Sequence, residues 1–441
     1  MEVLASLLSG LKAVCAAFPD PRKGRSGNIA MADFGLSAFA MFFMQSVSFL
    51  SFQRTLEKGQ GRSNCQTLFG IEKIPSDNYI RDMLDGADPA LLAPCFRRTE
   101  QLLLEPAMRE AFGRLSGRTL IALDGTEYFC SQKITCPHCQ TRKRSNGKRS
   151  NGKIESYHSL LAATVVAPGH SKVVPLAPEF IVKRDGAEKL DCERNVAKRW
   201  LDKHGARLKP LRPVYLGDDL FACQSVVERL ADNGDDFLFT CKEASHKALY
   251  NFIDGCEFQR CEVKVRKGKT RETHRYRFVE KIPLRDGKDA VTANWIGFEI
   301  LDAKGVVKYK TSFVTSLPIT KANVAEIAAC GRARWKIENE SFNVLKNHGY
   351  ELEHNFGHGE SYLAMTLAAL NVLAFAWHTV LDLLEPPWRK AREAMEKRMS
   401  FFACLATMTR FVVFPAWSDL LKALATFTIP PELLKTQKIE E

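Results

Sequence analysis

With 441 residues the chain is long enough to bury a large core and to hold two or three domains. Lys and Arg number 63 against 51 Asp and Glu, a net charge of +12 that points to a polyanionic partner while also fitting ribosomal, membrane-surface or simply soluble basic proteins. The 13 cysteines form an odd count behind a Met1-Glu2-Val3 start with no basic n-region or small-residue cleavage site, which argues against a disulfide scaffold and for reduced thiols in a cytoplasmic protein.

The first 118 residues read as helical, with a helix start at Pro75-Ser76-Asp77-Asn78 and Ser76 as its N-cap. A DNA-reading helix-turn-helix is one option for this region; an ordinary capped helix is the plainer one. The apolar stretch 35–52 is interrupted by Gln45, and the stretch 362–384 by Asn371 and His378, so both are read as buried core helices and no membrane association is expected.

From residue 119 the pattern is strand (119–124), strand (156–167), strand (172–183), helix (about 191–204), strand (213–218), helix (221–232) and strand (236–241). Val196, Ala197, Trp200 and Leu201 form one face of the first of these helices, and Gly205 reads as its stop. Strands alternating with helices after an opening meander indicate an α/β class, a mixed sheet flanked by helices. Within this region Arg142 to Lys153 contains no acid and carries a tandem five-residue repeat (144–148, 149–153), the composition of a flexible, solvated loop.

Residues 242–320 are too many for a connecting loop. Alternating segments at 262–265, 275–279, 295–300 and 308–313 read instead as an inserted β-rich subdomain, which holds a second basic run from Lys264 to Arg277. The chain then returns to helix over 321–385, and 386–441 reads as a helical C-terminal region.

Three acids stand out in this order of elements. Asp124 closes the apolar run Leu120-Ile121-Ala122-Leu123, Asp218 closes Val214-Tyr215-Leu216-Gly217, and Glu338 lies in the helical stretch Arg334-Trp335-Lys336-Ile337-Glu338. Taken alone, an Asp before Gly125 is an ordinary turn former. Together, two acids at strand ends and one on a later helix suggest a single metal site. Carboxylates without neighbouring His or Cys ligation favour a hard ion, so Mg²⁺ or Mn²⁺ is expected. Two such ions about 3.5–4 Å apart can clamp an in-line displacement at phosphorus.

The segment from Arg334 to Lys346 resembles the Tyr-Arg-Glu-Lys signature of DDE transposases of bacterial insertion sequences, the insertion-sequence-four type. Asp124-Gly125-Thr126 and Gly217-Asp218-Asp219-Leu220-Phe221 are similar to that family's two Asp motifs, and the segments 241–246 and 353–359 suggest a particular branch of it. The resemblance covers roughly 119–360 and implies a ribonuclease H-like catalytic domain (119–241 and 321–385) interrupted by the β insertion. It further implies cut-and-paste transposition with two Mg²⁺ or Mn²⁺ ions on Asp124, Asp218 and Glu338, and a homodimer on double-stranded DNA bearing terminal inverted repeats and on target DNA. Arg334 and Lys346 would contact DNA, as would Arg142, Lys143 and Arg144 of the first basic run and Lys267 of the second. Trp295, in the insertion, would stack a base if it is not simply core.

The sequence departs from the signature in two places: Gly331 stands where the Tyr would be, and Lys346 comes one position late. Glu340 therefore competes with Glu338, which is preferred because Trp335-Lys336-Ile337-Glu338 fits without adjustment. Asp219 competes with Asp218, which the alignment of Phe221 favours. A relative that has lost catalysis, or a stand-alone metal nuclease of the same fold, would share these motifs.

Cys136-Pro137-His138-Cys139 is half of a zinc site, and Cys130, His138 or His158 could complete it as a structural centre. Free thiols in a loop are the preferred reading. His354 and His358 are four apart, yet Asn355-Phe356-Gly357 between them indicates a turn, so no metal is expected on that pair.

Overall fold

Two short apolar runs, Leu120–Leu123 and Val214–Leu216, are buried on both faces and lie side by side at the centre of one large sheet. A computed structural model describes residues 1–23, 27–57, 61–146, 149–182, 192–268 and 270–434; the side chains of 56, 61–62, 144–146, 149–152, 267, 432 and 434 are outside the description. The strands are β1 (Gly113–Arg114), β2 (Arg118–Ser131), β3 (Gln140–Asn146), β4 (Arg149–Val166), β5 (Val174–Pro175), β6 (Glu179–Ile181), β7 (Pro213–Gly217), β8 (Asp236–Thr240), β9 (Gln259–Lys267), β10 (Thr270–Pro283), β11 (Thr292–Leu301) and β12 (Val307–Thr315). They join in the order β3-β4-β2-β7-β8-β12-β11-β10-β9, with β1 on β2 and with β5 and β6 on β4. The protein is of the mixed α/β class, and its described residues form a largely antiparallel 12-stranded sheet.

β7 runs parallel to β2, and β8 parallel to β7, whereas β4 is antiparallel to β2. The basic run expected as a loop is a hairpin instead: β3 and β4 pair from Gln140↔Tyr157 to Asn146↔Arg149. The strand expected over 172–183 is split into β5 and β6. Pro175 and Pro178 each lack the amide that a continuous ladder needs.

The insertion is continuous with the central sheet, because β12 pairs with β8 over Phe313↔Thr240, Val314↔Phe239 and Thr315↔Leu238. The β-rich insertion thus extends the central sheet at its β8 edge. The apolar alternation that marks β12 as a strand carries no mark of which strand it will sit beside.

Helix Glu193–Leu208 packs Val196, Ala197, Trp200 and Leu201 inward, and Trp200 Nε1 donates to the Ala177 carbonyl at 2.8 Å. It does not stop at Gly205. Leu208 is buried and draws the last turn into the core, and the chain leaves the helical path only at Arg212, which is left-handed at φ +49°.

The helices of the two ends form one body rather than two. Trp417 Nε1 donates to the Leu68 carbonyl at 2.8 Å, and the Phe414 amide to Asn64 Oδ1 at 2.9 Å. Helix Leu363–Leu384 is long and apolar enough to cross a membrane, but 83% of its most apolar window is buried inside the protein. It packs Trp377 against Phe39 of helix Met31–Phe43, with ring centroids 4.7 Å apart. That earlier helix ends at Phe43, with Gln45 left-handed at φ +52°. Ser76 caps helix Asp77–Leu84 by accepting from the Tyr79 amide at 3.4 Å.

Candidate active site and a thiol–imidazole cluster

The parallel pairing of β2 and β7 runs from Thr119↔Pro213 to Ala122↔Leu216. Two residues beyond the last β2–β7 pair come Asp124 and Asp218, at the side of the parallel pair where an α/β sheet gathers ligands. Asp124 is not at a strand end, as the sequence suggested. β2 continues to Ser131, and Gly125 pairs with Leu161 of β4, so the Asp-Gly pair makes no turn.

The third acid arrives on a helix with a local π-type turn, Ile337–Phe342, a distortion often found at functional sites. Arg334, one turn earlier, joins the acids: its Nη1 lies 3.3 Å from Asp124 Oδ2 and donates to Glu338 Oε1 at 2.8 Å. Burial pushes the Asp124 carboxyl up to about 7; Arg334 opposes the rise, and Glu338, Asp218 and Glu193 add to it.

Glu193 is a fourth acid that sequence reading missed. It opens helix Glu193–Leu208, and a Cβ on Gly125 would fall 2.2 Å from its Oε1. Burial and the nearby Asp218 raise its carboxyl above the ordinary range. The only local signal was an acid in the first turn of a helix that follows the meander, which is also the commonest way to complement a helix dipole.

The rivals separate by direction. Asp219 accepts from the Lys242 amide and faces His246 Nε2 at 3.2 Å, so it anchors the 241–246 segment. Glu340 lines a different cavity of about 270 Å³ with Lys172, Asp382, Arg392 and Arg398. Gly331 stands against the Phe313 ring, which a Cβ would meet at 2.7 Å, so no tyrosine fits where the signature has one.

The expected DNA-contacting residues are scattered. Lys346 is paired with Glu353 at 2.7 Å. Arg142 is held between Glu127 and Glu155, 2.9 Å from the latter, and stacks 4.6 Å over the Tyr157 ring. Lys143 is exposed. The side chains of Arg144 and Lys267 lie outside the described residues. In the second run Lys264, Arg266 and Arg271 are exposed, whereas Arg275 pairs with Glu262 at 2.8 Å. Trp295 is 1% exposed, packs on Phe258 and Tyr250, and forms part of the wall of a cavity of about 390 Å³ that Arg277 also lines.

A second cluster lies elsewhere on the sheet. Cys136 and Cys139 flank a turn after β2, His158 projects from β4, and His358 comes from the loop before helix Leu363–Leu384; the four ligand atoms all lie within 4.8 Å of one another. This group could hold a metal ion. Of the partners proposed for the thiols, His158 takes part, while Cys130 and His138 are not members. His358, for which no metal was expected beside His354, joins the thiols from the non-helical segment before helix Leu363–Leu384. The Cys136 thiol and the two imidazoles packed against Cys139 hold it well below the usual thiol range, against the effect of its burial.

Compared with protein-family models and with curated proteins, the sequence matches none.

Proposed function

We propose that the protein is a DNA transposase that cleaves phosphodiesters at the ends of a mobile element and joins the freed 3′ ends to target DNA by a cut-and-paste route. The observation that carries this reading is the convergence of Asp124 and Glu338 on one Arg334 guanidinium, with Asp218 beside them. Support also comes from the strand order β4-β2-β7-β8, with β5 and β6 outside β4 and β7 and β8 parallel to β2, which suits a ribonuclease H-like domain.

The donor set fits hard divalent ions. Its members are all carboxylates, and the charge they need is here supplied by a guanidinium rather than by a thiol- or imidazole-binding metal. Asp124, Asp218 and Glu338 would hold Mg²⁺ or Mn²⁺, two ions in the proposed reaction. When bound, the ions would activate the attacking oxygen and stabilise the leaving one. Asp124 must give up its proton to serve as a ligand. Arg334, released from Asp124, keeps its donors within the site and can turn them to a phosphate oxygen. Burial of Leu120–Leu123 and Val214–Leu216 makes the floor beneath the acids rigid, so the carboxylates are positioned by the strands rather than by loops.

The partner is double-stranded DNA, held by a homodimer that brings two inverted-repeat ends together; the exposed Lys143, Lys264, Arg266 and Arg271 are suited to its phosphates. The work is done in the cytoplasm, at the nucleoid. The test uses purified protein, Mg²⁺ and linear DNA carrying the inverted repeats that flank the gene. Cleavage at the repeat followed by joining of the 3′ end to a target plasmid supports the proposal. Cleavage without joining would make the protein a nuclease, and binding without cleavage a relative that has lost catalysis.

A further inference from the structure

The Cys136, Cys139, His158 and His358 ligand atoms converge on one point, with all four within 4.8 Å of one another. Cys136 Sγ and Cys139 Sγ are 3.8 Å apart. The sulfur–nitrogen separations are 3.4 Å for Cys136 to His158 Nε2, 3.4 Å for Cys139 to His158 Nε2 and 3.4 Å for Cys139 to His358 Nε2. The two Nε2 atoms are 3.2 Å apart. Tetrahedral zinc, with Zn–S of about 2.3 Å and Zn–N of about 2.0–2.1 Å, sets these edges at about 3.8 Å for S···S, about 3.5 Å for S···N and about 3.3 Å for N···N. Five of the six edges come within about 0.2 Å of those values; the sixth, from Cys136 Sγ to His358 Nε2, lies within the 4.8 Å span of the cluster and closes when an ion draws the two atoms in.

A disulfide is a poor account of the same atoms. It needs the sulfurs at about 2.05 Å, and it would leave two imidazoles facing each other without a shared partner. The ring orientations favour a metal. His358 Nδ1 donates to the Gly359 carbonyl at 3.0 Å, which leaves the Nε2 lone pair directed into the cluster, the usual way a backbone carbonyl orients a metal-bound imidazole. Tyr128 lies stacked on His158, with centroids 5.6 Å apart, and Phe129 packs on His358 at 4.6 Å, so the imidazole side of the cluster is walled by aromatic rings while Cys136 is half-buried.

We propose that these four residues form a structural Cys₂His₂ zinc centre that fastens the sheet to the segment following the Glu338 helix. Two thiolates and two imidazoles select zinc over Mg²⁺, and four protein ligands leave no open position for substrate. The three segments it joins are far apart in sequence: the turn after β2, the middle of β4, and the loop from which His358 comes. That loop is also held by Asp85, which accepts from the Glu360 and Ser361 amides at 3.0 Å each. Asp124 lies on β2, just before the cysteine turn, and Glu338 lies on the helix just before the His358 loop. The centre therefore closes a ring that contains both acids without touching either.

The test is metal content of the full chain purified without added metal, and it does not depend on whether the protein transposes DNA. About one equivalent of zinc is expected in the wild type, and less than about a tenth in Cys139→Ser and His358→Ala. Cys130→Ala and His138→Ala, which alter neighbouring residues outside the cluster, are expected to keep theirs. Should the ligand variants fail to fold, cobalt substitution of the wild type still decides the matter, since tetrahedral S₂N₂ coordination gives intense visible bands and six-coordinate oxygen ligation does not. Zinc-free wild type with a Cys136–Cys139 disulfide in its peptide map, or a His358→Ala protein that retains full zinc, would overturn the proposal.

Discussion

Arg334 Nη1 stands 3.3 Å from Asp124 Oδ2, so a guanidinium holds the charge balance of an acid whose neighbours Asp218, Glu338 and Glu193 all repel it. The arrangement ties the protonation of Asp124 to the position of a single arginine, and it sets the terms on which a divalent ion would enter.

Replacing Asp124, Asp218 or Glu338 by Ala is expected to lower DNA cleavage by at least about a hundredfold, the scale of losing one preorganised electrostatic group. DNA binding should persist, because these residues grip no phosphate. Glu340→Ala should stay within about threefold of wild type, since its side chain lines a different cavity. Excision assays with purified variants decide this, and a dead Glu340 variant beside an active Glu338 variant would reverse the assignment.

The raised Asp124 carboxyl, at about 7 against an ordinary 3.8, has a definite sign in stability. Between these values the folded chain holds a proton that the unfolded chain has released, so Asp124 costs nothing below about pH 4, progressively more up to about pH 7, and a constant amount above that. The loss is at most about 4 kcal/mol. Asp124→Asn should flatten that part of the urea-stability profile, and Mg²⁺ should recover stability in the wild type above pH 7 by binding the folded state alone. Arg334→Ala should extend the loss to higher pH, because the guanidinium is what holds the carboxyl down.

Gly125 leaves no room for a side chain beside Glu193. Gly125→Ala is expected to displace the Glu193 carboxylate, costing about 1–3 kcal/mol as an overpacked position does and lowering cleavage at the same time. Urea unfolding and the cleavage assay read the two effects. If Gly125→Ala leaves both unchanged, Glu193 does not belong to the acid cluster.

Salt dependence separates the basic residues. Each phosphate that a variant no longer neutralises should reduce the slope of log K against log salt by about 0.9. Lys143→Ala should produce that change, whereas Arg142→Ala should not, because Glu127 and Glu155 already neutralise Arg142. Binding measured by fluorescence anisotropy across a salt series gives the slopes, and equal effects of the two variants would count against this distinction.

Removal of a zinc ion from the Cys136, Cys139, His158 and His358 cluster should lower the melting temperature and increase proteolysis near residues 132–139 and 351–362. Mg²⁺ should not restore the loss, since thiolates do not bind it well, whereas zinc should. Melting curves after strong chelation and after addition of each metal make the comparison.

Sequence by itself determined the features that repeat over short windows. The apolar runs ending at Asp124 and Asp218, the alternation that makes β9 to β12 strands, the Ser76 cap and the Cys-x-x-Cys turn are all local, because hydrophobic period and turn chemistry act over a few residues. Tertiary structure decided what those pieces meet. Glu193 reaches the acids because its helix packs back across the sheet, Arg334 joins Asp124 to Glu338 across 210 residues, and His358 joins Cys139 across 219. The insertion belongs to the central sheet because β12 finds β8, and Gly205 stays helical because Leu208 is drawn into the core. Such pairings are set by which surfaces bury the most apolar area together, a property of the whole chain that no local window contains.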